Sequence, residues 1–176
     1  FIGLDGNFAP WVGAMIKDVN QPILLVADEE KIDEAVTRLS RVGFDNTLGY
    51  LKGGIEAWAA TGKELDTVEG VTAEELAQRL KKEPVKVVDV RKLAEFQSEH
   101  LEGAENFPLD ALNEHMAELP QETPFYLHCA GGYRSMIANS ILKARGYHNA
   151  IDVKGGFDAI KTTDAPVTDY VCPSTL

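Results

Sequence analysis

Apolar residues along this chain gather into short continuous runs that alternate with amphipathic stretches. The run "PILLV" (22–26) is followed by an amphipathic segment that closes before Gly43, then by a second short strand pattern and Lys52-Gly53-Gly54. The same order returns a hundred residues later. Residues 22–58 read "PILLVADEEKIDEAVTRLSRVGFDNTLGYLKGGIEAW", and residues 124–160 read "PFYLHCAGGYRSMIANSILKARGYHNAIDVKGGFDAI". Each copy predicts a strand, a loop, a helix ending before a glycine (Gly43 or Gly146), an aromatic residue, an Asn, a second strand, and Lys-Gly-Gly before another helix. Gly43 and Gly146 suit the left-handed position that ends many helices. Strand–helix–strand–helix order implies a parallel sheet flanked by helices, an α/β fold.

The second copy carries more in front of it. "TAEELAQRLKKE" (72–83) predicts an amphipathic helix opened by a capping box of Thr72 and Glu75. "VKVVDV" (85–90) predicts a short buried strand, and "EFQSEHLEGAENFP" (95–108) a turn-rich crossover. The first copy lacks counterparts of that helix and strand. The expected division is therefore residues 1–66, a unit truncated at its N-terminus, and residues 67–176, a complete unit of ordinary domain size.

Composition narrows the function classes. The chain has a formal net charge of −11, with 44% hydrophobic and 26% charged residues. Residues 1–66 hold 11 acidic and 6 basic side chains (−5), and residues 67–176 hold 17 and 11 (−6). Acidity in both halves argues against nucleic-acid or anionic-membrane partners, which need a concentrated basic face. No apolar run is long enough to span a bilayer. Two cysteines, Cys129 and Cys172, are too few for a disulfide scaffold and fit a reducing cytoplasm. The four His show no ligand spacing, so no metal is expected in this chain. The chain opens mid-pattern without Met and is expected to continue a longer protein.

The candidate chemistry lies in "HCAGGYRS" (128–135). Cys129 follows the strand "FYLH" and precedes the helix expected over "SMIANSILKAR". In open parallel sheets, ligands bind where strand ends face helix starts. Two glycines let the backbone curl with its N–H groups inward as an anion nest. The helix dipole adds positive potential, and Arg134 adds a fork of donors for a tetrahedral oxyanion. Such surroundings favour the thiolate, the reactive form of cysteine. The competing reading is a buried structural cysteine at a strand end, a common place for that residue type.

Taken in order, Asp89-Val90-Arg91, Glu95-Phe96, His100, Gly103-Ala104, Asn106, Pro108, the Cys129–Arg134 loop with Ser135, Gly146-Tyr147 and Lys154-Gly155-Gly156-Phe157 resemble a rhodanese domain. The resemblance runs nearly the full length of the second unit and implies a single-cysteine sulfurtransferase. In that family the loop cysteine takes a sulfane sulfur as a persulfide and passes it to a thiol or cyanide. By resemblance Cys129 is the nucleophile, the backbone N–H groups of Ala130, Gly131, Gly132, Tyr133, Arg134 and Ser135 cradle the terminal sulfur, and Arg134 orients an anionic donor such as thiosulfate or a small persulfide. A cysteine phosphatase is the alternative, since such enzymes also open on His-Cys and close on Arg. They place five residues between Cys and Arg, whereas four intervene here, and no Asp stands in a recognisable acid loop. A third reading is a persulfide-sensing or scaffold module in which Cys129 is modified without turnover.

The neighbours have plainer expectations. His128 is expected to pack or hydrogen-bond at the strand end, and Asp89 with Arg91 to form an ion pair supporting the loop. Lys154-Gly155-Gly156 turns into the last helix, with Lys154 or Arg145 able to add positive charge near the mouth. Tyr133 lines or covers the loop, and Cys172 is an inert tail thiol or a sulfur acceptor. In the first copy the loop position reads "VADEEKIDE", without Cys or Arg and with Asp28, Glu29 and Glu30 repelling an anion. That copy resembles a rhodanese unit that has lost its chemistry. "FDNTLGYLKGGIEAW" and "GNFAPWVG" are similar to the inactive middle domain of bacterial persulfide dioxygenase–rhodanese fusions. That resemblance implies an upstream metallo-β-lactamase-like, iron-dependent dioxygenase domain, with iron held there and no cofactor needed in this chain.

Overall fold

A computed structural model of the chain describes residues 1–172; Pro173–Leu176 of the tail lie outside the described residues. Two compact units are present, one formed by Ile2–Thr67 and the other beginning at Val68.

The first unit runs α1 (Phe8–Met15), β1 (Ile23–Leu25), α2 (Glu29–Ser40), β2 (Thr47–Tyr50) and α3 (Gly54–Ala60). β1 and β2 pair in parallel. One sheet face is closed: Ile23 and Leu25 pack with Phe8, Val12, Leu39 and Phe44. On the other face Leu24, Leu48 and Tyr50 are exposed. The expectation of a helix-flanked sheet therefore holds on one side only. Parallel sheets are ordinarily covered on both faces, and residues 2–67 contain no counterpart of the helix and strand that do this in the second unit.

The second unit runs β3 (Gly70–Val71), α4 (Ala73–Leu80), β4 (Val87–Asp89), α5 (Leu93–Ser98), β5 (Glu105–Asn106), α6 (Leu112–His115), β6 (Phe125–His128), α7 (Tyr133–Ala144), β7 (Ala150–Val153) and α8 (Gly156–Ile160). All pairings are parallel, in the order β3-β7-β6-β4-β5. β4 and β6 are buried at every position, the signature of a sheet covered on both faces. Ala73, Leu76 and Ala77 of α4 pack on Val87, Tyr126, Val153, Phe157 and Ile160. α4 opens with the capping box: Glu75 N–H donates to Thr72 Oγ1, and Thr72 N–H to Glu75 Oε2. Gly43 and Gly146 both adopt the left-handed conformation (φ 87° and 90°) that ends their helices.

No helix among the described residues is long and apolar enough to cross a membrane. No cluster of three or more His, Cys, Asp or Glu among them could hold a metal ion.

Candidate active site

The central strands β4 and β6 end side by side, with Asp89 registered against His128. Asp89 is fully buried and must find partners there. Its carboxylate accepts from the Arg91 backbone N–H (2.8 Å) and from Arg91 Nε (2.8 and 3.1 Å), and Arg91 Nη2 lies 2.7 Å away. Arg91 Nη2 also donates to the Glu99 carbonyl at 2.8 Å, and the guanidinium lies 4.0 Å over the Phe157 ring. Asn106 Nδ2 donates to the carbonyls of Asp89 and Arg91, both at 2.9 Å. These bonds fix the floor beside the loop; Asp89 and Arg91 spend their hydrogen-bonding capacity on structure.

His128 is also fully buried. Its Nδ1 lies 3.1 Å from the Cys129 carbonyl, which only accepts, so Nδ1 carries the hydrogen. Nε2 has no hydrogen-bond partner among the described residues and faces Asp89 Oδ2 at 3.9 Å. Burial pushes this imidazole's pKa down, against the pull of the Asp89 charge.

Cys129 comes next and is 1% exposed. The chain then turns through Gly132, which is left-handed at φ 104°, and α7 starts at Tyr133. That start is two residues earlier than the sequence pattern suggests. The glycine makes the sharp entry, so Tyr133 and Arg134 fall inside the first turn. The Gly132 N–H donates to Cys129 Sγ at 3.2 Å. Ser135 Oγ lies 3.7 Å from Sγ and donates to the Gly132 carbonyl at 3.0 Å. The first N–H groups of α7 have no intrahelical acceptor, and they sit at the positive end of the helix dipole beside the sulfur.

The far side of the loop is held by α8. Gly155 and Gly156 are both left-handed (φ 77° and 57°), as the expected turn requires. The Phe157 N–H donates to the Cys129 carbonyl at 2.7 Å, and the Asp158 N–H to the Ala130 carbonyl at 3.0 Å. A Cβ on Gly156 would sit 2.3 Å from the Ala130 carbonyl oxygen. Lys154-Gly155-Gly156 thus shapes the loop as well as turning the chain.

Arg134 is not an unopposed cation. Its Nη1 and Nη2 bind Glu95 Oε2 and Oε1 at 2.6 and 2.8 Å, a two-pronged bridge from α7 to α5. The bridge holds the Glu95 carboxyl below and the Arg134 guanidinium above their usual pKa values. Lys154 acts electrostatically on Asp152, and Arg145 is exposed beyond the last turn of α7. Cys172 is exposed and not disulfide-bonded.

Two participants were not singled out as site residues from sequence. Glu95 lies 39 residues from its partner in sequence, although an acid in the first turn of the helix after Asp89-Val90-Arg91 was a usable signal. Asp152 interrupts the otherwise apolar strand "AIDV", where the pattern reserves a buried position, and it is 6% exposed.

In the first unit Ala27 stands where Cys129 stands in the second. A cavity of about 460 Å³ there is lined by Ala27, Asp28, Glu29, Glu30 and Glu56 with Gly53 and Gly54. α2 starts at Glu29, whose Oε1 takes the Gly53 N–H at 3.2 Å. A Cβ on Gly54 would lie 3.3 Å from the Ala27 carbonyl oxygen, the counterpart of the Gly156 approach. No cysteine lines this cavity.

The family model of the rhodanese-like domain matches residues 72–163. The sulfurtransferase of Allochromatium vinosum is 30% identical over 101 residues, covering 57% of this chain and 94% of its own length. Other curated relatives are spanned only in part, 56%, 18% and 19% of their lengths. The crystal structure of a rhodanese-like domain protein from Staphylococcus aureus covers 59% of this chain and 100% of its own, at 28% identity and a TM-score of 0.53. That of thiosulfate sulfurtransferase from Pseudomonas aeruginosa covers 91% of this chain and 35% of its own, with a TM-score of 0.52; at 22% identity this is a likeness of fold alone.

Proposed function

Because the chain belongs to the rhodanese-like domain family, we propose that it is a sulfurtransferase in which Cys129 carries the sulfur. One observation carries the reading: a cysteine at the junction of a buried strand and a helix start, with a loop N–H 3.2 Å from its sulfur. The Cys129 thiolate attacks the sulfane sulfur of thiosulfate or a small persulfide. The donor S–S bond breaks, and sulfite or a thiolate leaves with the bonding electrons. An acceptor thiolate or cyanide then attacks the outer sulfur of the Cys129 persulfide, and the electron pair returns to Cys129. Splitting one transfer into two displacements lowers each barrier. N–H groups of Ala130 to Ser135 hold the outer sulfur, and Arg134, itself braced by Glu95, steadies the loop and the anionic donor. Asp89 and Arg91 support the floor.

Residues 1–66 form an inactive rhodanese-like unit in this reading, supported by Ala27 at the nucleophile position and the carboxylates around it. The chain is the C-terminal part of a fusion whose upstream metallo-β-lactamase-like dioxygenase would hold the iron, and it works in the cytoplasm. Burial of Cys129 favours one second reading, a module that is persulfidated and turns over slowly.

Intact mass spectrometry after incubation with thiosulfate tests the mechanism. One added sulfur, absent in Cys129→Ser, is expected; no gain, or the same gain in the variant, overturns it. No steady-state transfer to cyanide or glutathione despite a modified cysteine would favour the slow module. Cys129-dependent hydrolysis of an aryl phosphate would favour a phosphatase.

A further inference from the structure

The Cys129 carbonyl takes two hydrogen bonds, and only one of them comes from the helix that closes the loop. The Phe157 N–H of α8 donates at 2.7 Å, and His128 Nδ1, on the last residue of β6, lies 3.1 Å from the same oxygen. A carbonyl oxygen only accepts, so this contact requires the hydrogen on Nδ1. The opposite tautomer would set two acceptors 3.1 Å apart. It would gain no bond at Nε2, which stands 3.9 Å from Asp89 Oδ2, beyond hydrogen-bond reach. The ring is fully buried and Nε2 has no partner among the described residues, so its one N–H goes to the nucleophile's own carbonyl.

Resting on the sulfur-transfer reading, we propose that His128 is a positioning residue: with the Phe157 N–H it fixes the Cys129 carbonyl, and through that peptide it aims the loop N–H groups at the sulfur. One donor leaves a peptide able to rock about a single bond, whereas two donors from different elements fix its plane. The peptide is trans, so the Ala130 N–H projects opposite the tethered oxygen. A carbonyl that accepts two hydrogen bonds also polarises its own peptide, which strengthens that N–H as a donor. The same short turn carries the Gly132 N–H, 3.2 Å from Cys129 Sγ.

Little lets the ring move. It lies 6.2 Å from the Phe157 ring in a near-parallel stack (22°) and faces Asp89, which Arg91 binds through Nε and Nη2. Its donor does not depend on charge, because the imidazolium and this neutral tautomer both carry Nδ1–H. The first unit supplies the contrast. Val26 stands where His128 stands, ahead of Ala27 at the nucleophile position, and a valine side chain offers no donor. The imidazole accompanies the cysteine in one copy and is absent with it in the other.

Two measurements on the full chain test the tether. Long-range nitrogen–proton NMR of the wild-type protein at about pH 8, where an imidazole is neutral, is expected to show His128 protonated at Nδ1. A neutral ring protonated at Nε2 overturns the proposal without any substitution. The second readout is the rate of Cys129 alkylation by iodoacetamide against pH, followed by mass. His128→Leu removes the donor and is expected to slow alkylation about fivefold below the midpoint and move the profile about 0.7 unit higher. His128→Asn returns a donor to the place of Nδ1 and is expected to recover most of that loss. A leucine variant with the wild-type profile, or an asparagine variant displaced as far as leucine, overturns the proposal. A ring that only packs would lower stability in both variants and leave the profile where it is. If the leucine variant fails to fold, His128→Gln, whose amide reaches the place of Nε2 instead, takes its role. Neither readout needs a sulfur donor, so failure of wild-type persulfide formation counts against the sulfur-transfer reading and leaves the tether to be judged on spectrum and profile.

Discussion

Gly156 approaches Ala130 so closely that a methyl group on it would lie 2.3 Å from the Ala130 carbonyl oxygen and 2.4 Å from that of Cys129. Both neighbours are backbone and cannot rotate aside, and Gly156 itself is left-handed at φ 57°. Gly156→Ala is therefore expected to lower stability by about 2–4 kcal/mol and to displace the cysteine loop. Denaturant unfolding and the yield of persulfide measure the two effects. An alanine variant with wild-type midpoint and yield would mean that α8 does not shape the loop.

The Glu95–Arg134 bridge makes geometry, more than charge, the contribution of Arg134. Arg134→Lys keeps the charge and loses the fork. Persulfide formation should fall about tenfold, equivalent to about 1.4 kcal/mol of barrier. Stability should fall by no more than about 1 kcal/mol, since both side chains are partly solvated. A lysine variant with full activity would show that charge alone suffices.

The same bridge has an acid limit. Glu95 is held below its usual pKa, so its contribution is complete above the unfolded value of about 4.3. The contribution is lost as pH falls through the lower folded value, because the unfolded chain takes up the proton first. Glu95→Gln should flatten the stability profile below about pH 4.3, read by chemical denaturation at several pH values.

Removing Arg91 leaves the fully buried Asp89 carboxylate without its main partner. Arg91→Leu is expected to cost about 3–5 kcal/mol, seen as a large drop in the thermal midpoint. A loss under about 1 kcal/mol would mean that Asp89 finds water or takes a proton at little cost.

His128 predicts a second pH effect, nearer neutrality. Its folded pKa is depressed by burial, so it stays neutral while the unfolded chain protonates below about 6.5. Stability therefore declines as pH falls below about 6.5, towards the folded value. His128→Asn keeps a donor where Nδ1–H sits and removes the titration. Its stability should vary less with pH in that window, and an unchanged slope would place the titrating group elsewhere.

Much of this was legible because it is local. Strand–Cys–Gly–Gly–x–Arg occupies consecutive residues, and the capping box Thr72/Glu75 and the helix-ending Gly43 and Gly146 obey short-range rules. The remainder depends on which elements become neighbours. Arg134 reads as a free anion binder until α5 places Glu95 against it. Lys154-Gly155-Gly156 reads as a turn, and its second role appears only when the α8 N–H groups meet the loop carbonyls. The one-sided sheet of the first unit was also hidden, because periodicity describes strands and not what covers them.

Anchoring two carbonyls also settles where the adjoining amides point. Among the described residues no peptide is cis, and in a trans unit the N–H projects opposite its C=O. With the Cys129 and Ala130 oxygens tied to Phe157 and Asp158, the amides of Ala130 and Gly131 are turned away from α8. Their aim is a main-chain property, indifferent to the side chain at position 130. The loop can thus exchange that side chain, and with it the reagents it admits, while its donor array stays as it is.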